Sequence, residues 1–219
     1  MTSSLKSTVS RLAFDNPSIW SFCSSSDNVK VWKTYVDVVK GKGMDNIPTI
    51  KGVMIMDGSP EECFDLFVDD QRVGEYNDNC RELEDIAKLM DENGVEVKVN
   101  WCATGKFGVF KARDFTTVVR NERVEGGGFL SVATKVVVDE EGLRERDGYV
   151  RSSIVLSASF MKPVEGEPGK CEFWQITKVG GLGGVANTKV AKKIQDKLVV
   201  KAPIDFLERF GEAVKRRRK

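Results

Sequence analysis

Apolar and polar side chains alternate along much of the chain between Thr49 and Val179, with the two-residue period of strands that bury one face. In the run 95–103, Val97, Val99 and Trp101 fall on one side and Glu96, Lys98 and Asn100 on the other. In 149–161, Val150, Ile154, Leu156, Ala158 and Phe160 oppose Arg151, Ser153, Ser157 and Ser159, and Arg151 is expected to point outward. Leu130, Val132, Thr134 and Val136 form the apolar face of a further strand, and Gln175 shares a face with Phe173, Thr177 and Val179. The segment 81–90 sets Leu83, Ala87 and Leu89 on one side, with Asp85 among them. Residues 31–39 and 49–56 read as two more strands. Asn93-Gly94 supplies the positive φ of a tight hairpin turn, and Gly126-Gly127-Gly128 marks another turn. Strands joined by hairpins at such short intervals predict an antiparallel sheet rather than βαβ units.

Helical signals interrupt this pattern. Residues 4–14 read as a short helix closed by Asn16-Pro17. Ser59-Pro60-Glu61-Glu62 opens another, with Ser59 as N-cap and acids in the first turn, and Phe64, Phe67 and Val68 are its buried side. The last quarter carries Gly180, Gly181, Gly183 and Gly184, then a long amphipathic stripe through Val190, Ile194, Leu198, Ile204, Leu207 and Phe210, with Pro203 part-way along. Such a helix serves either as a plain core element or as a lid, with the four glycines as its hinge. A sheet that curves round and closes on it leaves a cavity for a small apolar ligand.

Composition narrows the chemistry. With 219 residues and 41% hydrophobic content, one domain with a sizeable core is expected, flanked by a helical extension over 1–17 and a basic tail over 215–219. A net charge of +1 offers no field for nucleic acid, and no nucleic-acid partner is expected. The tail is either a solvated end or an added attraction to anionic membranes. Five scattered cysteines, none spaced as CxxC, argue against a zinc site or disulfide framework and fit the reducing cytoplasm. Histidine is absent, which removes Ser-His and Cys-His dyads and the commonest transition-metal ligand. No catalytic residue, metal or cofactor is expected, and the chain reads as a monomeric container rather than an enzyme.

"SPEECFDLFVDD", "VGEYND", the Asn-Gly hairpin, "KARDFTTVVR", "GGFLSVATKV", "GYVRSS" and a terminal helix follow one another in this chain. In that order and at those intervals they resemble the START domain, the lipid-transfer family related to the steroidogenic acute regulatory protein. The resemblance covers the chain from about Trp20 onward. Where the family commonly has Trp-Asp, this chain has Tyr76-Asn77. The resemblance implies an α+β helix-grip fold: a curved antiparallel sheet gripping the C-terminal helix around a lipid tunnel. It implies one bound lipid and transient contact with membranes. A sterol or other single-anchor lipid is favoured, with a glycerophospholipid second. A polyketide-cyclase or hydrolase relative and a lipid-sensing module are the alternatives.

Ligand-facing candidates follow from these faces. Val99, Trp101, Leu156 and Gln175 are expected on the tunnel wall, with Ile194 and Leu198 on the helix opposite. Trp101 either packs in the core or stacks on a ligand. Asp85 and Arg113 either bridge each other or bind a lipid's polar group, since a charge among apolar neighbours is costly unless paired. The loop 104–111 brings Phe107, Val109 and Phe110 between Lys106 and Lys111. Its aromatics either fold into the core and line the tunnel end or dip into a bilayer while the lysines meet head groups.

Overall fold

A computed structural model describes residues 17–35, 47–91, 94–106, 111–136, 143, 146–180 and 189–218, excepting the side chains of 189–199. The expected helix at 4–14, the aromatics Phe107, Val109 and Phe110, the glycines Gly181, Gly183 and Gly184, and the side chains of Ile194 and Leu198 lie outside that description. Strands β1 (Ser21–Ser25), β2 (Val29–Thr34) and β3 (Thr49–Met56) are followed by helix α1 (Pro60–Val68) and a 3-10 segment, Asp70–Glu75. Strands β4 (Cys80–Met90), β5 (Glu96–Thr104), β6 (Arg113–Val124), β7 (Gly128–Lys135), β8 (Val150–Arg151), β9 (Ser153–Val164) and β10 (Glu167–Gly180) lead to helix α2 (Lys189–Arg216). The strands form one curved sheet in the order β1-β2-β3-β10-β9-β7-β6-β5-β4. Every pairing along that path is antiparallel, as the hairpin pattern predicts, while β8 adds a short parallel pairing to β6.

Gly52 identifies the face that α2 covers. A Cβ there would stand 2.8 Å from Leu207 Cδ1 and 3.4 Å from Pro203 Cβ, so only glycine lets helix and sheet approach this closely. Residues directly opposite in a ladder share a face. Val31, Gly52, Gln175, Ser159, Ser131 and Asn121 are successive ladder partners and so form one row on this inner face. A neighbouring inner row, Val29, Met54, Phe173, Met161 and Phe129, is apolar and buried throughout. Phe64 of α1 stacks on Phe129 at 4.3 Å, and Phe210 of α2 meets Phe173 edge-on at 5.1 Å. Tyr76 joins the same cluster, its ring edge-on to Phe210 at 4.9 Å and its hydroxyl donating to the carbonyl of Phe67 at 3.1 Å. This solid core fixes the C-terminal half of α2, and the helix backbone runs on past Gly52.

The outer face is also buried. Leu130, Val132, Leu156, Ala158 and Ile176 cluster there with Phe160 and Trp174, under Ile19 and Trp20. Lys51 sits among three indoles, 4.6 Å from the ring centre of Trp20 and 5.1 Å from those of Trp32 and Trp174. Burial lowers the pKa of its ammonium, which the rings stabilise by cation–π attraction. Further along, Trp101 donates its indole N–H to Asp114 at 2.9 Å, and the Arg146 guanidinium lies 3.7 Å over its ring. Val99, Trp101 and Leu156, expected on the tunnel wall, therefore belong to the face turned away from α2. The alternation is as expected and the sides are exchanged. Burial on both faces removes the polarity difference that would otherwise tell inside from outside.

Strand β4 also departs from its expected pattern. Register shifts fall between Cys80 and Glu82 and between Asp85 and Ala87. Leu83 and Asp85 consequently pair with Cys102 and Asn100 on the inner face, while Ala87 and Leu89 pair with Val99 and Val97 on the outer one. At the chain's end the basic tail is pinned rather than free. Lys215 pairs with Asp57 at 3.0 Å, Arg216 donates to the Glu75 carbonyl at 3.2 Å, and Arg218 pairs with Glu62 at 2.7 Å.

Candidate functional site

Beyond the Gly52–Leu207 contact, the inner wall changes character. The row Gln175, Ser159, Ser131 and Asn121 is uncharged and polar. The next row, Ile50, Thr177, Ser157, Ala133 and Val119, mixes small and apolar side chains and ends at Lys98. Thr117, Asn100 and Asp85 follow, then Phe115, Cys102 and Leu83, and finally Arg113 with Thr104. Serines and asparagines that seemed bound for solvent in the alternating pattern thus face the helix side. Asn100, Thr117, Ser131 and Ser159 are each at most 6% exposed.

Charge on this wall lies at Lys98, Asp85, Arg113 and Lys135, the ladder partner of Thr117, and not in the Gln175–Asn121 row. Lys98 Nζ lies 2.6 Å from Asp70 and 3.3 Å from Asp85, tying the 3-10 segment over the β4–β5 edge. Burial alone would lower the Lys98 pKa, but the hydrogen bond and charge of Asp70, with those of Asp85, outweigh it and raise the pKa. The bridge expected between Asp85 and Arg113 is replaced by this one. Asp85 and Arg113 share the inner face, but their partners Asn100 and Thr104 are four residues apart on β5, which is about 13 Å along a strand. Arg113 instead donates from Nη1 to the Lys111 carbonyl at 2.8 Å, at the end of the wall beside the 105–112 connection. Lys106 and Lys111 are both exposed there, and Gly180 is buried at the end of β10.

Arg113-Asp114-Phe115 divides its side chains between the two faces. Arg113 and Phe115 point inward. Asp114 is fully buried on the outer side, where it holds the Arg151 fork through two 2.9 Å hydrogen bonds and accepts from Trp101. Arg151 also reaches Thr116 Oγ1 at 3.2 Å and the Leu143 carbonyl at 2.8 Å, clamping β8 to β6. The role of Asp114 rests on the β5–β6 register and the β8 pairing, and only its place between Arg113 and Phe115 is visible in the sequence. The inner-face thiol of Cys102 is pushed up to about 12, first by burial and then by Cys80 and Asp114, so it stays protonated near neutral pH. Among the described residues, no group of three or more His, Cys, Asp or Glu side chains converges on a possible metal position. Among them, too, no helix is long and apolar enough to cross a membrane.

No family model matches the sequence, and no curated protein sequence matches it. Solved structures do. Human StAR-related lipid transfer protein 5 superposes with a TM-score of 0.79 at 20% identity, covering 98% of this chain and 96% of that one. Human STARD10 gives a TM-score of 0.75 at 20% identity, over 96% of this chain and 78% of the other. The fold is that of a START domain. The human StarD13 lipid transfer and protein localization domain shares it at a TM-score of 0.64 and 15% identity, over 98% of this chain and 95% of that one. In that fold α2 packs on the inner face of the sheet, over β1, β2 and β3.

Proposed function

We propose that the chain holds one lipid between α2 and the inner face of the sheet and carries it between membranes, with no chemistry performed on the lipid. One observation supports this above the others. Asn100, Thr117, Ser131 and Ser159 are polar side chains buried on the inner face of the sheet, beyond the apolar floor of Phe129, Met161 and Phe173. A polar wall beside an apolar floor offers a guest both anchoring groups and packing surface. Shielding an acyl chain or sterol contributes roughly 25 cal/mol per Å² buried, enough to retain a lipid without a covalent bond.

The absence of charge along the Gln175–Asn121 row favours an uncharged single-anchor lipid such as a sterol, with a glycerophospholipid second. Exposed Lys106 and Lys111 flank the connection that would touch anionic head groups during loading. The five cysteines are free thiols, which suits a monomer working in the reducing cytoplasm. The protonated Cys102 and the Lys98-bound Asp85 supply no activated nucleophile or free base on the wall. The test is transfer of a fluorescent sterol from donor vesicles to acceptor vesicles, combined with mass spectrometry of lipids extracted from the purified protein. Accelerated transfer with a co-purified lipid is expected. A folded protein that neither retains lipid nor speeds its transfer would end this proposal.

A further inference from the structure

The inner wall contains buried polar atoms that no other described residue satisfies. Asn121 Oδ1 and Ser159 Oγ lie in the first polar row, and Asn100 Oδ1 in a row further along, each buried and without a hydrogen-bond partner among the described residues. Ser159 is 1% exposed and Asn100 6%. Ladder register places all three on the same face of the sheet as Gly52, where α2 packs. A buried polar atom left without a partner is destabilising, and such atoms are rare in folded proteins. Three on one shared wall therefore point to a guest that completes them.

The surroundings restrict that guest. The first polar row abuts the solid floor of Phe129, Met161 and Phe173, so a group held there lies at the closed end of the wall. From Gln175 to Asn121 the row has no cation to balance a phosphate, so burying that charge there would be costly. A bare hydrocarbon would leave Asn121 and Ser159 as unsatisfied as before. A hydroxyl or an amide N–H, in contrast, donates a hydrogen bond without adding charge.

We propose that Asn121 and Ser159, with Ser131 and Gln175 beside them, form a recognition subsite for the uncharged, hydrogen-bond-donating head of a lipid. The lipid enters head first, toward the Phe129–Met161–Phe173 floor, and Asn100 accepts a second donor further along its body. The subsite rests on the lipid-carrying function proposed above and adds the class of head group.

Uptake from vesicles of four probes tests it: cholesterol, cholesterol methyl ether, N-palmitoyl sphingosine and dipalmitoylphosphatidylcholine. The first and third carry donors, and the other two carry none. The wild-type protein is expected to take up at least one donor-bearing probe about tenfold better than either donorless one, the scale of one hydrogen bond to a buried acceptor. That preference is expected to collapse in Asn121→Leu and Ser159→Ala, while the lipid-free variants melt no lower than the wild type because a buried unsatisfied atom has gone. Ser159→Ala removes a single oxygen and keeps the test valid if the leucine does not fit. Uptake without donor preference, or a preference unchanged in the folded variants, overturns the subsite and leaves lipid carriage standing. Uptake of none of the four overturns both.

Discussion

Asp114 is the side chain that ties Trp101 of β5 to Arg151 of β8 on the outer face. It is fully buried, and Arg151 and Trp101 both donate to it. Burial pushes its pKa up, but the Arg151 and Trp101 hydrogen bonds outweigh this and hold its carboxyl below the usual 3.8. A depressed carboxyl contributes stability above its unfolded pKa and loses it as pH falls through the folded value. Asp114→Asn should therefore cost about 3 kcal/mol at pH 7, since it strands the Arg151 charge beneath the β8 segment. The gap to the wild type should begin to narrow below about pH 4 and go on narrowing as pH falls through the lower folded value. Urea unfolding at pH 7 and pH 3 measures both, and an equal gap at the two pH values would contradict the assignment. At the helix start, Ser59 accepts from the Glu62 N–H at 3.2 Å while Glu62 returns a 2.7 Å bond to the Ser59 N–H. Ser59→Ala should lower stability by about 1 kcal/mol, read as a shift in the urea midpoint at unchanged slope.

At the scale of elements, the junction of α2 with β3 determines how the helix is gripped. Gly52→Ala should cost about 1–3 kcal/mol by driving a methyl into Leu207, and Leu207→Ala about 2–5 kcal/mol by emptying a fully buried site. In the double variant each change relieves the other, so the combined loss should fall short of the sum by more than about 0.5 kcal/mol. Strict additivity in a double-mutant cycle would mean that the two side chains do not meet. Several elements were legible beforehand for local reasons. The Ser-Pro-Glu-Glu run forms a capping box in place, and Gly94, Gly126 and Gly127 take the positive φ values of 72°, 80° and 77° that their turns require. The β4 register was not legible. Its bulge between Asp85 and Ala87 leaves no mark in composition, yet it moves Ala87 and Leu89 to the face opposite Leu83. The tail at 215–218 read as solvated charge because its acceptors, Asp57, Glu62 and Glu75, lie more than a hundred residues away in sequence.

For the whole molecule, the difficulty lay in deciding which face is inside. The period of two along β5 and β9 was readable, but period carries no sign. Val99, Trp101 and Leu156 looked like lining and are outer packing, while Asn100 and Ser159, on the opposite side of the alternation, lie on the inner face. Of the expected ligand-facing residues, Gln175, Asp85 and Arg113 share the face that Gly52 marks. That face was therefore legible at these three positions and missed along its uncharged polar row. A guest that binds only the folded state stabilises it by mass action. Saturation at a hundred times Kd amounts to about 2.7 kcal/mol. For a chain of this length that corresponds to a rise in Tm of roughly 5–10 °C. Calorimetry of lipid-loaded and lipid-stripped protein should show it, and coincident transitions would rule out tight lipid binding.

The outer packing also determines which optical signals the protein can give. Trp20, Trp32 and Trp174 surround Lys51, Trp101 lies under Arg146, and these are the four tryptophans of the chain. Every indole thus sits on the side of the sheet away from α2, separated from the inner wall by the backbone. Intrinsic emission will report on the N-terminal segment at Trp20 and on the Asp114 clamp, and will stay nearly constant while the inner wall fills. A flat tryptophan titration with a lipid would be the expected behaviour of a working carrier, and binding has to be followed through the guest's own label or by mass.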